Sequence, residues 1–492
     1  MAANSNSGGG VASAVAVSAV TQGLAKAVHL GLNIVSGLAL IHYLGPQGYG
    51  DYLFVLSFLA LFGLLSDFGL TRIAVREMAR SEESQAEILG TVIFARLVLA
   101  VICCLLAQVV LFAIGTRPEL RVAAAAGSLL FVSNALLAVV AVFQVRIAMQ
   151  YEAVVMALGQ AVETGLVLLL IWRQADVVQI VAVPGVAALF AAALAWLIAR
   201  WRFQARLTVQ FRRLPALLVN AAPVGLTLAI SVLALKLDSV LLGVLRSSEE
   251  VGIYGAAYQP VEYLILAAAV LMNPMFPLLA RWHQTEPVRF KYLYQRGDDV
   301  ILSVFLPIPV ALALVAEPLL LTVYPASFVD SVLPLKLLAV ALVFMAVTAW
   351  QGYTLLAAGR QRVTLAYDAV ALALSVLLNV ALIPTLGYMG AVGAALAASM
   401  INMLLSLVAV TRFLGVSPDL TRLGGLIVAC LIFGGSLWLL MLLGAPWFVA
   451  LAVSGLLYPL SLLGCRFTNL EEIRSLLPRG GAPLKAASGV EG

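Results

Sequence analysis

Long apolar stretches, separated by short polar ones, run along the whole chain. They lie near 18–44, 51–71, 88–114, 120–145, 152–172, 177–199, 215–245, 252–280, 298–324, 333–357, 363–384, 389–411, 423–443 and 446–465. Each approaches or exceeds the roughly 20 residues that cross a bilayer as a helix. Within lipid a spanning segment has to satisfy its own backbone N–H and C=O groups, and a helix does so internally. The pattern therefore predicts an all-α integral membrane protein with about 14 transmembrane helices. No connecting loop is long enough to fold as a domain. The longest polar stretches, around 200–214 and 281–297, both follow even-numbered segments.

Charge turns this pattern into a topology. Hydrophobic residues make up 63% of the chain and charged residues 11%, with a mean hydropathy of +1.06. A soluble domain carries about a quarter charged residues. Of 29 Lys and Arg, four lie inside apolar segments: Lys26, Arg96, Lys236 and Lys336. Only Arg117, Arg121, Arg173 and Arg246 lie in or beside loops that follow odd-numbered segments. The others fall in the alternate loops and the C-terminal tail. Cytoplasmic loops collect Lys and Arg, so both termini are expected in the cytoplasm. The net charge of +5 follows from this bias and suits attraction to anionic membrane lipid. It does not call for nucleic acid.

Cys103, Cys104, Cys430 and Cys465 sit in or at the ends of apolar segments, with neither disulfide nor metal-ligand spacing. No cofactor or metal is expected. The first ten residues lack a basic n-region, so the first segment is expected to be retained. Thr468 and Glu471 fit a capping box that opens a short cytoplasmic helix, and residues 480–492 read as disordered. A phosphate loop of the GxxxxGK[ST] type is missing, which argues against an ATPase. The extracytoplasmic loop with catalytic acids that membrane glycosyltransferases use is missing too. The chain reads as a helix bundle and not as an enzyme.

An internal repeat is visible. Gly50-Asp51-Tyr52 opens the second segment, and Gly252-Ile253-Tyr254 opens the eighth, 202 positions later. The same two segments close on Ala79-Arg80 and Ala280-Arg281. A shift of six helices preserves orientation, which predicts a parallel repeat about an axis along the membrane normal.

Three stretches carry a family likeness. The first is Leu44-Gly45-Pro46-Gln47-Gly48-Tyr49-Gly50-Asp51-Tyr52, with Ser66-Asp67-Phe68-Gly69-Leu70 and Ala74-Val75-Arg76-Glu77 after it. The second is Leu237-Asp238-Ser239-Val240-Leu241-Leu242-Gly243 with Val251-Gly252-Ile253-Tyr254-Gly255-Ala256-Ala257-Tyr258. The third is Leu386-Gly387-Tyr388-Met389-Gly390-Ala391-Val392-Gly393-Ala394-Ala395. In these motifs, their order and the helix count, the sequence resembles the polysaccharide (Wzx-type) flippases of the multidrug/oligosaccharidyl-lipid/polysaccharide exporter superfamily. The resemblance implies two six-helix lobes in a pseudo-two-fold arrangement around a central cavity, plus two C-terminal helices. On this chain the lobes would cover 18–205 and 206–414. Helices 13 and 14 would cover 415–465, with tails at 1–17 and 466–492. It also implies alternating access in the cytoplasmic (inner) membrane. The implied partners are a lipid-linked oligosaccharide, membrane lipid and other polysaccharide-assembly proteins.

Charges within the segments point to a site, because a charge near the bilayer centre costs about 2.5–3.5 kcal/mol on insertion scales. Ser18, Gln22, Lys26, His29, Asn33 and Ser36 recur at helical spacing along one face of the first segment. Such a face either lines a hydrated cavity or packs as interhelical polar glue. Lys26 fits the cavity better, and Lys26, His29 and Asn33 become candidate substrate contacts. Arg96 lies about 12 Å into the third segment and either reaches the cavity or snorkels inward. Lys236 is a second candidate cavity cation. Asp238 lies two residues on, so it faces elsewhere and is expected to pair with a cation of the other lobe. Lys336 follows Pro334 at a helix start, where snorkelling is the simpler expectation. Asp67 and Asp368, near Arg72 and Arg362, read as interfacial ion pairs or as an inward gate. The deeper Glu163 and Glu262 are candidate proton carriers. Pro223, Pro274, Pro277 and Pro307 interrupt apolar segments and serve as bends.

These readings converge on a flippase for an undecaprenyl-diphosphate-linked oligosaccharide, with cavity cations offsetting the diphosphate charge. Within the same superfamily, a lipid II flippase and a cation-coupled multidrug exporter are the rivals. A non-transporting scaffold for glycosyltransferases is the rival of another class.

Overall fold

The computed structural model describes residues 7–465 and Phe467, with side chains from Gln22 onward except at positions 267 and 420. The capping box at Thr468, the tail that follows it and the side chain of Ser18 lie outside the described residues.

Every regular element among the described residues is a helix, and 13 helices are long and apolar enough to cross a membrane. The first of these holds two of the predicted segments. Helix Ser7–Asp67 runs unbroken except at Gly45, whose φ of 62° and ψ of −176° are not helical. A residue without Cβ reaches this conformation cheaply, and Pro46 follows it. One helix, kinked at Gly45, thus covers the first two predicted segments, and the spans match the segments read from the sequence. The first helix begins at Ser7, about three turns before the predicted segment start.

The chain divides into two compact units. The first comprises residues up to 259, together with 323–334 and 368–398. Its helices pack through small residues, as membrane helices do when no hydrophobic drive separates protein from lipid. Ala187, Ala191, Ala195 and Ala199 form a buried stripe at four-residue spacing on helix Val177–Phe203. Gly159 sits against Ala191, where an added Cβ would stand 3.1 Å from that of Ala191. Ser133 Oγ donates to the Gly185 carbonyl at 2.7 Å, and this ties helix Leu129–Leu137 to the same stripe helix.

The second unit comprises 260–322, 335–367 and the chain from 399 onward. Its helices Leu423–Leu442 and Trp447–Gly464 form a hairpin. Phe433 and Tyr458 meet edge to face across it, and Tyr458 Oη donates to the Ser303 carbonyl at 2.8 Å.

Two expectations change. The ninth segment starts at Pro287, not near 298, because the polar stretch before it is itself an amphipathic helix, Pro287–Phe305. That helix buries Phe290, Leu293 and Tyr294. Pro223 does not interrupt its segment, since helix Leu214–Leu245 runs through it. Pro277 and Pro307 stand in the first turn of new helices, where the missing N–H costs nothing. Pro274 lies in the turn before Phe276.

Candidate functional site

The polar face of the first segment does line a cavity, but only along part of its length. Asn33, Ser36 and Gly37 form one wall of a cavity of about 290 Å³ in the first unit. Tyr49, Tyr52 and Ser57 form a second wall, from the same helix beyond the Gly45 break. Glu163 enters from helix Met149–Trp172, Lys236 from Leu214–Leu245 and Gln259 from Ser248–Met272. Thr164, next to Glu163, donates to the Leu32 carbonyl at 3.1 Å and fixes its helix against the first segment. Tyr49 Oη donates to Gln259 Oε1 at 2.9 Å. Gly37 makes room for this amide, because an added Cβ would come within 2.7 Å of Gln259 Nε2. The result is a pocket with one cation, one carboxyl and a set of neutral hydrogen-bonding groups.

Asn33, Glu163 and Lys236 are thus brought together from three helices. The other sequence-selected residues lie elsewhere. Lys26 and His29 are exposed further along the same helix face, and Lys26 is within electrostatic reach of Glu152. Arg96 is buried away from this cavity. Its Nε lies 3.3 Å from Asp67 Oδ1, and its Nη1 donates to Thr71 Oγ1 at 2.8 Å. Thr71 Oγ1 in turn donates to Asp67 Oδ1 at 2.6 Å. Asp67 is therefore the partner of Arg96 and not of Arg72. Glu262 belongs to the second unit and does not line the cavity.

Asp238 also departs from expectation. It is 7% exposed and receives hydrogen bonds from three neutral groups. Asn379 Nδ2 donates at 2.7 Å, Tyr254 Oη at 3.1 Å and Ser375 Oγ at 3.4 Å. Lys236 and Asp238, two positions apart, point to different sides of one helix: the first to the cavity, the second into this network.

Beyond the cavity, the two repeat copies meet. A Cβ built on Gly50 would strike the Ser248 carbonyl, and one built on Gly252 would strike the Pro46 carbonyl. Subtracting the repeat shift of 202 turns Gly252 into Gly50 and Ser248 into Pro46. The two contacts are therefore the same contact made twice, the reciprocity that a local two-fold axis produces. Arg117 reinforces the crossing by donating to Asp51 and, at 2.9 Å, to Ser248 Oγ. Glu250 accepts from Arg246 Nε at 3.0 Å and from the backbone N–H of Tyr388 at 2.8 Å.

Reading the sequence alone missed Gln259, Tyr49 and the Arg117–Asp51 pair. Gln259 carried a usable signal, as an uncharged polar residue isolated within the eighth apolar segment. Arg117 and Asp51 are 66 positions apart, and nothing in their spacing links them.

A family model described as polysaccharide biosynthesis protein matches residues 17–283, a range that contains every cavity-lining residue. Among solved structures, the chain is similar to a lipid II flippase, MurJ, in an inward closed conformation. The TM-score is 0.76 at 13% identity, over 91% of this chain and 99% of that one. It is also similar to a multidrug resistance MATE family transporter of the MOP superfamily in an inward-facing conformation. That TM-score is 0.61 at 15% identity, over 78% of this chain and 94% of that one. Likeness at such identities is likeness of fold. No curated protein matches the chain by sequence.

Proposed function

Because this chain belongs to the polysaccharide biosynthesis protein family, we propose that it flips an undecaprenyl-diphosphate-linked oligosaccharide from the inner to the outer leaflet of the cytoplasmic membrane. Its structural neighbours are flippases and transporters. The observation that carries the reading is the cavity in which Lys236 stands among Asn33, Ser36, Tyr49, Tyr52 and Gln259. Lys offers a phosphate a point charge, and the neutral donors and acceptors around it suit sugar hydroxyls. A charge-assisted hydrogen bond gains strength away from water. Glu163 offsets part of the positive charge, which keeps anion binding weak enough to reverse.

In this reading both termini are cytoplasmic, and the polyprenyl tail stays in lipid while the headgroup occupies the cavity. The lobes 18–205 and 206–414 alternate between two openings. The crossing of Pro46–Gly50 with Ser248–Gly252 is the closed outward end, since it joins the Arg-poor loops. Lys26 and His29, exposed on the same helix face, are the first polar side chains that an approaching diphosphate meets.

The test is a flipping assay in proteoliposomes that compares a short-chain polyprenyl-diphosphate sugar with a cationic dye. Movement of the sugar lipid, reduced at least tenfold by Lys236→Gln, is the expected result. Dye efflux without sugar movement overturns it and moves the protein to the drug-exporter branch. Undiminished flipping in Lys236→Gln overturns the role of that side chain.

A further inference from the structure

The stretch that follows helix Val177–Phe203 has no regular structure, yet it is held in place. Gln204 adopts a left-handed conformation with φ of 51°, and the Ala205 N–H donates to the Ala199 carbonyl at 3.1 Å, which caps the helix. Residues 205–210 then run as a strap over the start of helix Gln85–Ala113. The Thr208 N–H donates to the Ala86 carbonyl at 3.0 Å, and the Gln210 N–H donates to Thr91 Oγ1 at 2.9 Å. Gly90 allows this approach, since a Cβ there would stand 2.5 Å from the Thr208 carbonyl oxygen.

A cavity of about 550 Å³ lies between the strap and the helix end. Trp196 and Arg200, one turn apart, line it from the helix, and Arg206, Leu207 and Thr208 line it from the strap. No carboxylate lines it. Among the described residues, neither the Arg200 nor the Arg206 guanidinium has a hydrogen-bond or ion-pair partner. A second cavity of about 510 Å³ at the far end of the strap differs in this respect. Arg80, Arg212 and Arg213 line it, but Glu77 stands 3.4 Å from Arg80 and Glu87 2.9 Å from Arg213. Most of its positive charge is matched, whereas that of the first cavity is not.

The surroundings of the unmatched cavity are apolar as well as basic. Trp201 is 82% and Phe211 63% exposed, and Leu207 and Val209 are exposed between them. Apolar side chains left exposed beside arginines at the end of a spanning helix suit the level where lipid headgroups meet hydrocarbon. This helix end also lies on the Arg-rich side of the membrane, the side that faces anionic lipid.

We propose that this cavity binds an anionic glycerophospholipid by its phosphodiester headgroup. Arg200 and Arg206 contact the phosphate, which a guanidinium fork holds by paired charge-assisted hydrogen bonds. Trp196 packs against the glycerol, and Leu207 meets the upper acyl chain. One arginine belongs to the helix and the other to the strap, so a bound lipid joins the two. The strap connects the sixth and seventh predicted segments, and headgroup occupancy fixes that connection in place. The site requires nothing of what the protein transports.

The test uses the purified full chain in detergent, without a transport substrate. Unfolding temperature is followed as dioleoylphosphatidylglycerol replaces dioleoylphosphatidylcholine at constant total lipid. Saturable stabilisation by phosphatidylglycerol is expected. The double variant Arg200→Gln/Arg206→Gln should raise the half-saturating amount about tenfold. Arg202→Gln/Arg281→Gln removes the same charge from exposed arginines outside the cavity. That control should shift the midpoint by less than about twofold. Equal losses in the two double variants mean diffuse attraction to anionic lipid and overturn the site. An identical response of the wild type to the two lipids overturns it as well. So does equal stabilisation by inorganic phosphate in phosphatidylcholine alone, the mark of a free-anion site. Both arginines are exposed and unpaired, so in phosphatidylcholine alone the variant should unfold with the wild type. If the double variant does not fold, Arg206→Gln on the strap decides, and an unchanged midpoint there refutes the proposal.

Discussion

The crossing of the two repeat copies and the cavity beside it are built from the same stretches of chain, yet they obey opposite rules. At the crossing, backbone meets backbone: Gly50 faces the Ser248 carbonyl and Gly252 faces the Pro46 carbonyl. In the cavity, side chains from the same helices, Tyr49, Tyr52 and Gln259, stand around open space. One residue separates the two regimes, since Tyr49 lines the void and Gly50 closes the crossing. A seal has to exclude water and gains nothing from chemical variety, so small residues suffice. A cavity has to hold a polar ligand, so its value lies in which groups face inward. Substitutions in the first region should act on stability, and those in the second on function.

The largest expected effect tests the boundary between these regimes. Asp238 belongs to neither, being a buried acid held by Tyr254, Ser375 and Asn379. Asp238→Ala takes the charged acceptor from Tyr254 and Asn379 in a buried setting and is expected to cost about 2–4 kcal/mol, since hydrogen bonds to a charged group contribute about 1.5–3 kcal/mol each. Thermal or denaturant unfolding in detergent reads it. A loss below about 1 kcal/mol would show that the network is not a structural anchor and would reopen Asp238 as a gate.

Next come the glycines. Gly252→Ala places a methyl group against the Pro46 carbonyl and is expected to cost about 1–3 kcal/mol through overpacking. Gly50→Ala should cost a similar amount, because the repeat makes the two contacts equivalent. The double variant should cost less than the sum, since a single separation of the two helices relieves both collisions. Strict additivity would mean that the two contacts are independent and the reciprocity has no mechanical meaning. Lys236→Gln sharpens the contrast from the cavity side. Unfolding should move by no more than about 1 kcal/mol, while flipping falls at least tenfold, which corresponds to about 1.4 kcal/mol in the barrier.

The sequence made the helices legible because lipid imposes one rule on every segment: enough apolar length and no unsatisfied backbone. That rule acts locally, so a window of residues reveals it. Asn33, Glu163 and Lys236 were legible for a related reason, since each is an expensive residue in an apolar context. Arg96 was equally visible as a charge. Its partner was not, because Asp67 lies 29 positions away, and which helix faces which is a matter of packing. Asp298, 4% exposed on helix Pro287–Phe305, escaped notice because it stands in a polar stretch, where an acid looks cheap. Only the burial of Tyr294 and Trp350 around it raises its cost. Pro287–Phe305 was misread for the same reason: its amphipathic first half resembles a loop when apolar length is the criterion.

The smallest effect is expected at the rim of the crossing. Arg117 donates to Asp51 and to Ser248, so it joins the two repeat copies by charge where the glycines join them by shape. The Arg117 side chain is 47% exposed, however, and water and salt screen it. Arg117→Gln is therefore expected to cost only about 0.2–1 kcal/mol, with the loss shrinking further as ionic strength rises. Measured beside Gly252→Ala, the ratio of the two losses says what holds the crossing shut. A glycine effect several times larger means closure by shape, with Arg117 as a screened latch. An Arg117 effect equal to or above that of the glycine would make charge the dominant closure, and the crossing should then open in high salt, as cysteine accessibility at an introduced Gln47→Cys would report.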